Sequence, residues 1–355
     1  MLKVIACTGG HKAPSRVPRV QQYISYLKTL GIDMRECPSR AGLYPPEQNK
    51  FVRPAWALWN LVDHVPAVIR SHNYDVCLLQ REMLSTLVTL EPLTKRPRIL
   101  DVDDAIWVHR GGGFARRLAA LCDHVICGNR FLAEQFSQWN PNVSILPTAV
   151  DTRRFTPRSH DDKRARPVIG WLGLSSGFSY LYAIESALRE VLLRHPDAIL
   201  RIVSDQTPCF HLLPAEQLEC LTYVREQEVR QIQGMTVGIM PLDDSVVSRG
   251  KCSFKMLLYM ACGIPVVVSP FGMNVEVLQN GEVGFGARNS SEWVESLEML
   301  LNNPDLAARL GKAGRAAVEQ HYSVEVLAPR LAETLFAVAK GYRPQPLSVD
   351  QEACR

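Results

Sequence analysis

The sequence predicts an α/β protein built from two parallel-sheet domains, and three observations carry that prediction. Short β-branched runs alternate with helical segments, the pattern of strands joined by crossover helices. The alternation breaks in a charged, proline-bearing stretch after residue 147 and then restarts. At 355 residues the chain is too long for one ordinary domain, and two of roughly 150–180 residues are expected.

In the first half, strands are expected at Leu2–Cys7, Asp33–Cys37, Val76–Gln80, Arg98–Val102, His124–Cys127 and Val143–Leu146. Leu2–Cys7 reads as a first strand running into a glycine loop rather than as a signal peptide. Pro147–Asp151 leads into Arg153–Pro157 and a charged stretch to Arg166, which sets the expected domain boundary between residues 155 and 156. Beyond it, strands are expected at Val168–Leu172, Ile199–Ser204, Leu221–Val224, Thr236–Met240 and Pro265–Val268. Ser290–Leu301 and Pro304–Gln320 repeat apolar residues at helical spacing. A last helix over about 325–341 is expected to pack back on the first domain, leaving a disordered tail over 343–355.

Composition narrows the class. Hydrophobic content of 46% and charged content of 21% are those of a soluble globular protein. No apolar run reaches the roughly 18–20 residues of a membrane span, so a cytoplasmic location is expected. Ten cysteines without C-x-x-C spacing point to reduced thiols rather than a disulfide frame or a zinc site. The net charge of +4 is uneven: residues 1–155 carry 20 Lys/Arg against 13 Asp/Glu, a balance of +7. Between Arg53 and Arg70 stand Trp56, Leu58, Trp59, Leu61 and Val62. A basic face beside tryptophans suits an anionic membrane surface, which would make the protein peripheral on the inner face of the membrane. A solvated face with the tryptophans in the core is the other reading. Nucleic acid is not an expected partner, because no basic recognition helix or aromatic-interleaved strand appears.

The most informative stretch is Ser248–Ser269: a basic loop, a short helix stopped by Gly263, and a buried strand. Arg249, Lys251 and Lys255 crowd the start of that helix. A helix N-terminus already favours an anion, and cations placed there oppose the helix dipole unless an anion joins them. A phosphate site is therefore expected.

This stretch resembles the donor-binding signature of retaining GT-B glycosyltransferases, in particular family-4-type bacterial enzymes that read GK-x-x-x-K-x-L-x-YMA-x-G-x-PVV. Weaker likeness lies at Ile145–Asp151, Val168–Gly173 and Leu100–Trp107. The resemblance implies two Rossmann-like domains facing a central cleft. It implies a glycosyltransferase that moves a sugar from a nucleotide-diphosphate donor to a lipid-linked or polysaccharide acceptor of the cell envelope. No cofactor and no metal are expected, since fixed cations stand in for Mg²⁺ on the diphosphate.

By position in the family pattern, Arg249 and Lys255 would hold the diphosphate as the catalytic cations. Donor contacts would come from Gly10, Lys251, Val224, Arg225, Gly272, Met273, Asn274 and Glu276. Asn274 also reads as a helix cap with Glu276 in the first turn. Arg16, Asp103 and Asp104 would face the acceptor, and His11 reads as a surface histidine rather than a base. Asp101-Val102-Asp103-Asp104 contains the D-x-D of single-domain, metal-dependent GT-A enzymes, but the two-domain layout and the basic cluster argue against that reading. The sequence departs from the family at Leu258, where many relatives carry a carboxylate or else Gln, and at Gly250, where relatives carry an acidic residue. That departure motivates an alternative: a non-catalytic GT-B-like protein that binds sugar nucleotides or acts as a partner subunit. A GT-B-fold epimerase acting on donor alone is a third reading. The lack of G-x-G-x-x-G after a strand, with an acid about 20 residues on, argues against a Rossmann dehydrogenase.

Overall fold

A computed structural model describes residues 1–10, 13–46, 50–158 and 166–341. The expected tail over 343–355 and His11 lie outside the described residues. The chain forms two compact units. One comprises Met1–Ala149, Gly250–Cys252 and the described residues from Val324 on; the other comprises Val150–Arg249 and Ser253–Ser323. The first division thus falls at Ala149, earlier than the composition shift near residue 155 that the sequence offered.

The first unit holds a parallel sheet of β1 (Leu2–Thr8), β2 (Ile32–Pro38), β3 (Val76–Gln80), β4 (Arg98–Val102), β5 (His124–Cys127) and β6 (Val143–Ile145). Their order is β2-β1-β3-β4-β5-β6. Strands β3, β4 and β5 are buried along their whole length, as a sheet covered on both faces requires. Helix Val324–Ala339 supplies Leu327, Leu331 and Leu335 to the core beneath Val4, Leu78 and Ile126. In the run Lys95-Arg96-Pro97-Arg98, two of the three cations, Arg96 and Arg98, are held structurally. Arg98 is buried, with Nε donating to the Thr94 carbonyl and hydroxyl at 3.1 and 2.8 Å, and Arg96 pairs with Asp123.

The second unit repeats the plan with β7 (Val168–Leu172), β8 (Ile199–Ser204), β9 (Leu218–Thr222), β10 (Val237–Met240), β11 (Val266–Val268) and β12 (Gly284–Gly286). Their order is β12-β11-β10-β7-β8-β9, all parallel. Strand β9 starts three residues before the expected Leu221 and ends at Thr222, and β12 was not foreseen. Trp171, Leu188, Ile202, Ile239, Trp293 and Leu297 fill the core between sheet and helices. Helices Ser290–Asn302 and Pro304–His321 match the periodic segments; each is capped by an asparagine, Asn289 and Asn303, whose side chain accepts a backbone N–H of the first turn.

Nine cysteines are free thiols among the described residues. No helix among them is long and apolar enough to cross a membrane, and none of their His, Cys, Asp and Glu groups cluster as a metal site.

Candidate functional site

In a doubly wound sheet, ligands bind beyond the carboxyl ends of the strands, where the strand order reverses direction. In the second unit that reversal lies between β7 and β10. Helix Phe254–Ala261 sits on it. Tyr259 is fully buried; its hydroxyl accepts the Leu172 N–H at the end of β7 at 2.8 Å, and its ring fills the space left by Gly238 in β10. One turn earlier on the same face stands Lys255. Its Nζ lies 4.2 Å from the centre of the Trp171 ring, and a side chain on Gly173 would collide with it. The cation is thus delivered to the turn that follows β7. That turn is braced by Asp205, whose carboxylate accepts the Ser175 N–H at 2.6 Å and its hydroxyl at 3.0 Å.

Gly250–Ser253 form the loop expected before this helix, but Ser248 and Arg249 lie in a helical turn, Val246–Arg249. The Arg249 guanidinium is exposed and makes two hydrogen bonds to Asp244, at 2.7 and 2.9 Å. Gly272, at φ +53°, lies so close to Arg249 that an added Cβ would sit 2.7 Å from the Arg249 carbonyl oxygen. The close backbone approach expected at Gly272 is therefore one the protein uses internally.

Asn274 is buried; its side-chain N–H donates to the Ser269 carbonyl at 2.9 Å, and its Oδ1 accepts the Ser253 hydroxyl at 2.7 Å. This ties the turn after β11 to the start of the Lys255 helix, where Ser253 holds φ +51°. The cap position of helix Met273–Gln279 belongs to Gly272, not to Asn274; Glu276 does fall in its first turn. Met273 is buried and Glu276 partly exposed. Lys251 belongs to the first unit, its carbonyl accepting from Asn129 Nδ2 at 3.1 Å. The signature's three cations are thus split, two in one unit and one in the other.

Val224 and Arg225 are exposed just past β9. Arg154 holds this corner: one guanidinium nitrogen donates to the Arg225 carbonyl and to the buried Glu228 carboxylate, each at 2.8 Å. Sequence reasoning missed Arg154, which stands 71 residues from Arg225.

In the first unit the order reverses between β1 and β3. Gly10, after β1, takes φ +94°, and a side chain there would strike the Ser39 carbonyl. Arg16 is not left open toward a ligand: its Nε and Nη2 bind Glu36 at 2.5 and 2.9 Å, and Thr8 joins the same carboxylate at 2.7 Å. Arg19, unforeseen, is buried against Asp101 and also donates to the Leu146 carbonyl at 2.7 Å.

At the end of β3 stands Gln80, followed by Arg81 and Glu82, also unforeseen. Arg81 holds φ +64° and lies 3.5 Å from Asp104, 3.6 Å from Glu82 and 3.0 Å from the Tyr44 hydroxyl. Both amide atoms of Gln80, Nε of Arg81, Oε2 of Glu82 and Oδ1 of Asp103 are buried without a hydrogen-bond partner among the described residues. Buried polar atoms are nearly always satisfied, so such a group suits a ligand bearing hydroxyls. Asp104 keeps half its side-chain surface open, yet protein crowds it on the other sides. That desolvation first, and then the Asp103 charge, push its carboxyl up to about 6 against the pull of Arg81 and Lys251. Gly250 packs on Ala105, where a Cβ would come within 2.6 Å, and Cys252 Sγ lies 3.2 Å from the Asp103 carbonyl.

Comparison with known proteins fits this geometry. A family profile described as "Glycosyl transferases group 1" matches residues 166–303, which fall within the second unit's span. The chain is 22% identical over 237 residues to spore coat protein SA of Bacillus subtilis, covering 58% of this chain and 61% of that protein. It is 26% identical over 216 residues to the GDP-mannose-dependent monoacylated alpha-(1-6)-phosphatidylinositol monomannoside mannosyltransferase of Corynebacterium glutamicum, covering 55% and 56%. The matches thus span about three fifths or less of these relatives' length. Among solved structures, sucrose-phosphate synthase from Thermosynechococcus elongatus superposes with a TM-score of 0.68 at 15% identity, over 95% of this chain and 100% of that one. The expected two-domain α/β fold is the one found, and it is the GT-B fold.

Proposed function

We propose that this chain is a metal-independent glycosyltransferase of the retaining family-4 type, which moves a sugar from a nucleotide-diphosphate donor to a lipid-linked or envelope-polysaccharide acceptor. The observation that carries the reading is the placement of Lys255 at the strand reversal between β7 and β10, held there by Tyr259 and Gly173. As the glycosidic bond breaks, negative charge grows on the departing diphosphate, and a preset cation stabilises it more than it stabilises the intact donor. Arg249 is the second cation. Asn274, Gly272 and Ser253 set the turn that positions both. The corner of Val224 and Arg225 is the candidate surface for the nucleobase, and Met273 and Glu276 border the donor sugar. No protein nucleophile is needed in the retaining mechanism the resemblance implies, because the departing phosphate takes the acceptor's proton on the same face. Asp104, Asp103 and the unpaired atoms near Arg81 offer hydrogen bonds to acceptor hydroxyls.

The test is transfer of labelled sugar from a panel of UDP- and GDP-sugars to envelope lipid extracts, in the presence of EDTA. Product formed with the chelator present supports the reading; donor left intact with every acceptor would sink it. The second reading, a non-catalytic sugar-nucleotide binder, is favoured by Leu258 and Gly250. Leu258 is buried in apolar core, and Gly250 has no room for a side chain, so neither place admits the relatives' carboxylate. Donor binding without turnover would select it.

A further inference from the structure

We infer that Asp244 is a displaceable counter-ion for Arg249, holding that cation until the diphosphate of a nucleotide takes its place. The inference rests on the donor site proposed above and says how that site is kept before a donor arrives.

The turn after β10 carries two adjacent acids, and the fold gives them different work. Asp243 locks the turn: its carboxylate accepts from the Ser245 N–H at 3.2 Å, from the Ser245 hydroxyl at 2.6 Å and from the Ser248 hydroxyl. The Leu242 N–H donates to the Ser269 hydroxyl at 3.0 Å and ties the same turn to the end of β11. Asp244 points its carboxylate elsewhere, at Arg249. Oδ1 accepts from Nε at 2.7 Å and Oδ2 from Nη2 at 2.9 Å. A guanidinium grips a phosphate with this same two-pronged geometry, so Asp244 offers Arg249 the pair of oxygens that a diphosphate would offer.

Exposure makes the pair easy to exchange. The side chains of Arg249 and Asp244 keep 46% and 52% of their surface open. Arg19 and Asp101, a pair that holds the first unit together, keep 0% and 4%. An exposed ion pair gains little over its separated, hydrated partners. A diphosphate carries more charge than one carboxylate and therefore competes well for the same guanidinium. The displaced acid is not stranded either. Hydrogen bonds from Arg249 hold the Asp244 carboxyl below the ordinary carboxylate range, helped by the charges of Arg249 and then Arg288. Arg288 lies with its guanidinium carbon 5.7 Å from the centre of the Phe271 ring, beyond β11, and its charge remains when Arg249 is handed over.

Calorimetric titration of the full chain with UDP and with GDP at low salt tests this in wild type, Asp244→Asn, Arg249→Gln and the double variant. Asp244→Asn should tighten binding of the nucleotide that wild type binds by about threefold, the scale of an exposed ion pair. Asp244→Glu, which can re-form the pair, should bind as wild type does. The gain should disappear in the Arg249→Gln background, where no guanidinium is left for Asp244 to mask. Melting temperatures should barely move, since these side chains face water. Weaker binding by Asp244→Asn would overturn the inference, because Asp244 would then be helping the ligand rather than competing with it. Tightening that persists without Arg249 would overturn it too, and would mean plain repulsion between carboxylate and ligand. Wild type that binds neither nucleotide would remove the donor site, and this inference with it. Wild type that binds, with Asp244→Asn binding no better, would remove the inference alone.

Discussion

The two units share a sheet plan and differ in what they do with charge where the strand order reverses. In the first unit the cations there are absorbed: Arg16 by Glu36, Arg19 by Asp101, Arg81 by Glu82 and Asp104. Left there without a hydrogen-bond partner among the described residues are the Gln80 amide atoms, Nε of Arg81, Oε2 of Glu82 and Oδ1 of Asp103. In the second unit Lys255 is laid over the Trp171 ring, and Arg249 is exposed to water beside Asp244. Under the proposed function the first unit's end meets acceptor hydroxyls and the second unit's end meets the donor's diphosphate.

The largest effect should come from breaking the first unit's internal pairing. Arg19→Met leaves the Asp101 carboxylate buried without its partner, and about 3–5 kcal/mol of stability should be lost, read as a collapse of the denaturant midpoint. Adding Asp101→Leu should recover much of it; failure to recover would mean the pair does more than neutralise itself. Next is Lys255→Ala, which should lower transfer on the order of 10²–10³-fold while the melting temperature barely moves. Turnover within threefold of wild type would remove Lys255 from the chemistry.

Gly272→Ala comes third. A left-handed backbone and a Cβ pressed against Arg249 should cost about 1–3 kcal/mol and weaken nucleotide binding together, whereas Gly281→Ala, also left-handed but meeting only a Val283 methyl at 3.8 Å, should leave binding alone. Smallest is the pH response of Asp104. Its folded pKa of about 6 exceeds the ordinary carboxylate value, so the folded state keeps this proton longer than the unfolded chain. Its contribution to stability therefore falls as pH rises from about 4 to 6. If the carboxylate receives an acceptor hydroxyl, transfer should rise through that same window. Asp104→Asn should flatten both limbs and reduce transfer by about tenfold; an unchanged acid limb would assign it elsewhere.

Much of the sheet was readable because fully buried parallel strands are unbroken apolar runs, as in Val76–Gln80 and Val168–Leu172. Strand β9 was misplaced because, at the sheet edge, it is only half-covered and lacks that run. Strand β12 is Gly-Phe-Gly, with no β-branched residue to announce it. In the candidate site, Lys255 was legible from the signature Ser248–Ser269 and Gly272 from the loop that follows it. Arg154, Arg19 and Arg81 were not, because their partners lie far along the chain or, for Arg81, because the feature is a backbone angle. The tryptophans answer both readings offered for them: Trp56 turns inward and Trp59 outward.

The most direct test of the anion site is thermal unfolding of wild type and Lys255→Ala with UDP, GDP, ADP, CMP and dTDP, each in large excess. A nucleotide at 100 times its Kd stabilises by about 2.7 kcal/mol and should raise the midpoint by a few degrees. One base should do so in the wild type, and the shift should vanish in the variant. No shift with any nucleotide, or a shift that survives the loss of Lys255, would contradict it.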